Sequence, residues 1–243
     1  MRYFKYLIFI IAVLAASCNS NNSKIDDTHD DSSELASSDT KSMAKSKTDT
    51  SRNKKSIYSQ IAITQSATIK TSMGDIEVAL YGKDAPNAVE NFVTLARRGF
   101  YNGILFHRVA KNFVIQAGDP ATKHDKLRQD WGMGGESIFG SGFETELNPK
   151  SAVYKAGYAR GTLAMANRGP GTNTSQFFIC LADAAKLDKE WTIFGRVTKG
   201  MEVVEEISAV EVEPSPRGRS DGIPKKPIKI ISIKPSREKE SAK

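Results

Sequence analysis

Two side-chain amides frame the stretch of this 243-residue chain best suited to recognising another polypeptide. They are Asn167 and Gln176, within Gly161-Thr-Leu-Ala-Met-Ala-Asn-Arg-Gly-Pro-Gly-Thr-Asn-Thr-Ser-Gln-Phe-Phe-Ile-Cys180. Each amide carries donors and an acceptor together, which suits an extended backbone better than a phosphate or a metal ion. Two apolar runs, Leu163 to Ala166 and Phe177 to Ile179, are short and dense enough to be buried strands. Gly169, Pro170 and Gly171 forbid helix between them. The chain therefore leaves a core strand, makes a surface loop and re-enters, with the two amides at exit and entry. Taken alone, the plainer reading is a hairpin whose amides satisfy their own loop.

A second stretch changes the weighting. It reads Phe106-His107-Arg108-Val109, followed by Phe113-Val114-Ile115-Gln116-Ala117-Gly118-Asp119. Together, and in this order, the two stretches closely resemble the cyclophilin family of peptidyl-prolyl isomerases, over about residues 66 to 235. The resemblance implies a mainly β fold, a closed eight-stranded antiparallel barrel capped by two helices, with the working face outside the barrel wall. It implies no cofactor, and proline-containing polypeptides as partners. Carried over by position, Arg108 is the catalytic arginine, with Phe113 and Gln116 beside it. Phe113, Val114, Phe178 and Leu187 match the pocket for the proline ring. Gln116, Ala166, Asn167 and Gln176 match the positions that hold the flanking backbone.

The chemistry is consistent with those residue types. Rotating an X–Pro bond costs roughly 20 kcal/mol, because amide resonance is lost midway. No bond breaks, so no nucleophile is needed. In the twisted amide the proline nitrogen regains its lone pair and becomes a better acceptor. A fixed cationic donor at that nitrogen stabilises the transition state selectively. Arg108, permanently charged with a rigid fork, is that donor. A lone arginine is usually a surface partner for a carboxylate; the family position reverses that prior. His107 reads as structural, since no proton need leave the substrate. The competing class is a non-catalytic proline-peptide-binding chaperone or scaffold using the same groove.

Some positions depart from the family pattern, and those at the pocket rim bear on specificity. Val114 stands where many relatives have methionine. Trp191 stands where many carry histidine at the pocket rim, and enlarges its apolar wall. Lys186 replaces the tryptophan of cyclosporin-binding relatives, which predicts weak cyclosporin binding. Arg168 replaces a small residue beside Asn167, narrowing or charging the neighbouring subsite. Residues around 123 to 130 are additional to the family pattern.

The elements that must position these residues follow in order. Ala67 to Tyr81 reads as a hairpin turning at Gly74, with Ile76, Val78 and Leu80 alternating. Pro86 opens a helix whose Val89, Phe92, Val93 and Ala96 form one stripe, stopped at Gly99. Leu105 to Val109 and Phe113 to Gln116 read as strands. Residues 117 to 143 read as a flexible loop. A turn at 184 to 187, a strand from Thr192 to Val197, a helix from Met201 to Ile207 and a last strand carrying Ile228, Ile230, Ile231 and Ile233 complete the domain.

Residues 1–17 have the anatomy of a secretory signal: a basic start, then about ten apolar residues, too few for a span. Ala15-Ala16-Ser17 leads into Cys18, which resembles a bacterial lipobox and makes Cys18 the expected lipidation site. Leu14 lies one place earlier than that pattern prefers. Residues 18–60 are nearly free of large apolar groups and read as a disordered tether with an rms reach of roughly 35 Å. The expected organisation is therefore signal peptide 1–17, lipidated tether 18–60, isomerase domain 61–235 and charged tail 236–243. This places a monomer in a bacterial cell envelope, membrane-bound through lipid and facing the periplasm. The net charge of +7 is mild, and the scattered basic residues form no nucleic-acid surface. His29, His107 and His124 lack metal-ligand spacing, so no metal site is expected. Cys18 and Cys180 make no disulfide framework, and Cys180 reads as a buried filler.

Overall fold

Period-two alternation builds most of the domain. The computed structural model describes residues 56–184, 187–215 and 218–236. The signal peptide, the Cys18 lipidation site, almost all of the tether, Lys186 and all but the first residue of the tail lie outside the described residues. The strands are β1 (Gln65–Thr71), β2 (Gly74–Leu80), β3 (Arg108–Ala110), β4 (Val114–Ala117), β5 (Thr162–Met165), β6 (Phe177–Cys180), β7 (Ile193–Lys199), β8 (Val212–Ser215), β9 (Gly218–Pro224) and β10 (Ile230–Pro235). They form one antiparallel ladder in the order β10-β1-β2-β7-β5-β6-β4-β3-β9-β8.

This ladder corrects the expectation of a closed eight-stranded barrel. It is an open series of ten strands ending on β10 and β8. Beyond the ladder, one isolated bridge, Leu105 to Lys229, joins the approach to β3 with the approach to β10. The two additional strands, β8 and β9, form a hairpin on the free edge of β3. Their segment carries Pro214, Pro216 and Pro224 and alternates poorly, so its sequence gives little sign of strand. Pro214 is tolerated because β8 is an edge strand and needs no donor on its outer side.

Helices α1 (Pro86–Arg97) and α3 (Met201–Ser208) lie where the periodicity predicts them, with a short α2 (Ala152–Ala156) between. Phe92 on α1 is fully buried, its ring 5.3 Å from Tyr101, 5.6 Å from Phe177 and 5.3 Å from Phe194. Ala85 cannot cap α1 with its side chain. Glu146 does so from a distant loop, its two carboxylate oxygens accepting from the Asn87 and Ala88 amides at 2.9 Å each. Burial raises the Glu146 pKa, and those two backbone donors oppose the rise. At the start of α3, Gly200 has φ +82°, and a Cβ there would stand 2.2 Å from the Asp75 carbonyl.

The sheet buries apolar side chains on both faces. Val109, Ile115, Ala117, Leu163, Met165, Phe177 and Ile179 join α1 and α3 in the main core. The alternate residues Ala110, Val114, Ala164, Phe178 and Cys180 form a second, smaller cluster with Tyr158. Leu187, Trp191, Ala166 and Ile193 cover that cluster in part.

Candidate active site

The second cluster and its margin hold the predicted site. Residues directly opposite in an antiparallel ladder share a face. The register sets Arg108 opposite Gln116, Gln116 opposite Phe178, and Phe178 opposite Ala164. Four strands thus align a cation, an amide and an aromatic ring in one transverse row. Val114 lies two residues from Gln116 on the same face, opposite Ala110 and Cys180.

Polar pins fix the row's amide end. Gln116 Nε2 donates to Gln176 Oε1 at 2.8 Å. Gln176 Nε2 in turn donates to the carbonyls of Gly132 (3.0 Å) and Gly134 (2.6 Å). Asp119 gathers the same loop, accepting from the amides of Ala121 (2.8 Å), Gly132 (2.6 Å) and Gly134 (3.0 Å). The stretch 117–143 is therefore pinned to the site and carries 3-10 turns at Pro120–Lys123 and Asp125–Asp130. Residues 123–130, expected to be additional to the family pattern, run from the end of the first turn through the second. Gly118 lets the loop pass the re-entering strand: φ is +106°, and a Cβ would stand 2.3 Å from the Ser175 carbonyl. Buried Asn91 on α1 completes the frame, donating to the Thr174 carbonyl and accepting from the Ile138 amide, each at 2.9 Å.

The apolar end differs from the open groove expected. Val114 is 3% and Phe178 7% exposed, so both belong to a packed cluster. Phe113, at the turn before β4, is 37% exposed and is the member facing solvent. Trp191 packs its ring edgewise on Phe178 at 6.2 Å and on Tyr158 at 6.0 Å, as an apolar wall would. The Tyr158 hydroxyl donates to the Trp191 carbonyl at 2.8 Å and accepts from its amide at 2.9 Å. Leu187 is half-buried on this cluster. Nothing in the local sequence marked Tyr158, eight residues short of Ala166, as a part of the wall.

Asn167 bonds partly within its own loop, whereas Gln176 bonds outside it, to Gln116 and to the Gly132 and Gly134 carbonyls. Asn167 Nδ2 donates to Asn173 Oδ1 (3.2 Å), the Glu190 carbonyl (3.3 Å) and Thr145 Oγ1 (3.4 Å), and its Oδ1 accepts from the Gly169 amide (3.2 Å). Both amides are engaged within the protein. The Ala166 amide donates to the Gln176 carbonyl at 2.9 Å, joining exit and entry. Arg168 bridges the two loops through its guanidinium, which donates to the Met133 carbonyl.

Arg108 is held by a partner that sequence reading missed. Its Nε lies 3.1 and 3.3 Å from the two oxygens of Asp221, and Nη2 lies 2.8 Å from Oδ2. Nη1 approaches Gln116 Oε1 at 3.5 Å. The only sequence signal was an aspartate in a Gly- and Pro-rich run, 113 residues away. His107 turns away from this row and is buried near Gly132. Burial lowers its pKa to about 4 against the pull of Asp119, so the imidazole is neutral at pH 7. Burial likewise pushes the Cys180 thiol up to about 12, which leaves it protonated and unreactive, as a filler should be. Among the described residues there is no cluster of three or more His, Cys, Asp or Glu able to hold a metal.

Comparison with known proteins agrees with this geometry. The family model "Cyclophilin type peptidyl-prolyl cis-trans isomerase/CLD" matches residues 66–235. The chain is 46% identical over 150 residues to the Arabidopsis thaliana peptidyl-prolyl cis-trans isomerase CYP18-2, covering 62% of this chain and 84% of that protein. It is 46% identical over 168 residues to the human peptidyl-prolyl cis-trans isomerase-like 1, covering 69% and 90%. A crystal structure of a Cryptosporidium parvum cyclophilin type isomerase, determined in the presence of the dipeptide Ala-Pro, superposes with a TM-score of 0.58 at 34% identity, covering 70% of this chain and 98% of that one. With most of its length matched, and with the Arg108–Gln116–Phe178 row assembled on one face, the chain belongs to the cyclophilin type peptidyl-prolyl cis-trans isomerase family.

Proposed function

We propose that the protein accelerates rotation about X–Pro bonds in proline-containing polypeptides, with Arg108 as the electrophilic donor. The alignment of Arg108, Gln116 and Phe178 across adjacent strands carries this reading. In it the proline ring lies against Phe113 and the margin of the Val114–Phe178–Leu187–Trp191 cluster. Its nitrogen faces the Arg108 guanidinium, and Gln116, Ala166, Asn167 and Gln176 border the flanking backbone. The guanidinium interacts weakly with a planar amide nitrogen, whose lone pair is delocalised, and strongly with the pyramidal nitrogen of the twisted state. His107, buried and turned away from the row, takes no part in it. No cofactor enters.

The test is exchange NMR on a short X–Pro peptide with the purified protein and Arg108→Ala. Fast exchange that is lost on substitution is the expected result. Background rates in both would favour a non-catalytic binder, a reading that the Arg108–Asp221 contact also fits.

The N-terminal sequence supports a membrane-tethered form acting on exported or envelope proteins, with Cys18 as the lipid attachment point and the domain facing the periplasm of a bacterial cell. The relatives named above are eukaryotic, so this reading draws on residues 1–60 alone. Labelling with a fatty-acid probe, lost in Cys18→Ala, is the expected outcome; equal labelling of both proteins would sink it.

A further inference from the structure

Asp221 stands on β9 opposite Ala110, so the unforeseen β8–β9 hairpin brings a carboxylate beside Arg108. We propose that Asp221 is a positioning residue of the isomerase site, holding the Nε–Nη2 edge of Arg108 so that Nη1 is presented to the substrate. The proposal rests on the reading of Arg108 as the donor.

The geometry separates the two edges of one guanidinium. Nε and Nη2 both face the carboxylate, a side-on pair with charge-assisted bonds. Nη1 has only the 3.5 Å approach to Gln116, the loosest contact in the row. The donor on the Gln116 side of the row is therefore the one that Asp221 leaves alone. The Asp221 side chain is 13% and that of Arg108 26% exposed, so solvent screens the pair only in part. An unheld arginine has several rotatable bonds and would scatter its donors. Catalysis by a fixed dipole depends on not having to orient it at the moment of reaction. The hairpin itself is held at both margins. β9 pairs with β3 at Val109 and Ala110, and Glu213 on β8 pairs with Arg128 at 2.8 Å. Arg128 belongs to the 3-10 turn of the loop whose carbonyls hold Gln176. The cation of the row and, through this loop and Gln176, its amide are thus both linked to this hairpin.

Asp221→Asn keeps the shape and removes the charge. In exchange NMR with an X–Pro peptide, kcat should fall about tenfold while KM stays within twofold. The Arg108 Nε–H resonance should move and exchange faster with water. In an Arg108→Lys background, which has no such edge to hold, Asp221→Asn should change kcat by less than twofold. An unchanged or raised kcat in the single variant would overturn the proposal, as would an equal loss in both backgrounds, which marks a structural role. Should Asp221→Asn fail to fold, Asp221→Ser carries the same comparisons. Arg108→Ala at the parental rate would instead defeat the reading of the donor, whatever Asp221 does.

Discussion

The two faces of the central strands are built from the same stretches but do different work. On one, Ile115, Phe177 and Ile179 are fully buried against α1 and α3. On the other, Val114, Phe178 and Cys180 are nearly as buried, yet their cluster is small and ends in the polar row of Gln116 and Arg108. Burial therefore does not distinguish core from site here. What distinguishes them is the edge of each cluster: the main core is covered by helices, the second by a few side chains and loops.

Neighbouring phenylalanines separate the two faces most clearly. Phe177→Ala should cost about 3–5 kcal/mol in chemical denaturation, with a proportionate loss of Tm. Phe178→Ala should cost less stability and raise KM for X–Pro peptides. Equal stability losses with no change in KM would erase the distinction between the faces.

Next in size is Arg108→Ala. Its kcat should fall about 10²- to 10³-fold, the loss typical of a preorganised transition-state donor, with Tm nearly unchanged. A loss of Tm without a loss of rate would return Arg108 to the structural side.

His107 tests the core side by pH. Its folded pKa of about 4 lies below the ordinary 6.5, so the folded state disfavours the charged ring. Stability from this residue is complete above pH 6.5 and is lost as pH falls from about 6.5 toward 4, by up to roughly 3 kcal/mol. Unfolding curves across that window should show the loss, and His107→Gln should flatten it.

The smallest effect belongs to the link between the amides. Gln116→Ala removes the contact joining Arg108 to Gln176, and should lower kcat about tenfold. Its free-energy equivalent, about 1.4 kcal/mol, would appear in rate rather than in stability. A change confined to Tm would mean that the amide chain only braces the loop.

Much of this was legible in local pattern. The hairpins, the α1 stripe and the arginine and glutamine of the row follow from alternation, proline and glycine placement, and family motifs. What was not legible shares one physical character: it depends on partners distant in sequence. Glu146 caps a helix 58 to 59 residues away, and Asp221 reaches Arg108 across 113. The β8–β9 segment carries Pro214, Pro216 and Pro224 and shows little alternation in sequence. In the open ladder that hairpin pairs with the free edge of β3, a contact between residues about 110 apart in sequence. Asn167 was visible as an amide, but not the Thr145 and Asn173 groups that engage it.

The pairing of β1 with β10 sets Ala67 opposite Pro235, so the first strand of the domain awaits its last. On a ribosome, β1 and β2 can pair early, but the other edge of β1 stays exposed until the final strand has emerged. Such a domain completes itself only once β10 is available, and a chain truncated before residue 230 would present that edge for association with other strands. The same adjacency makes the domain a good subject for circular permutation: a short linker from Ser236 to Gln65 would join neighbouring strands, and new termini could open at an exposed loop.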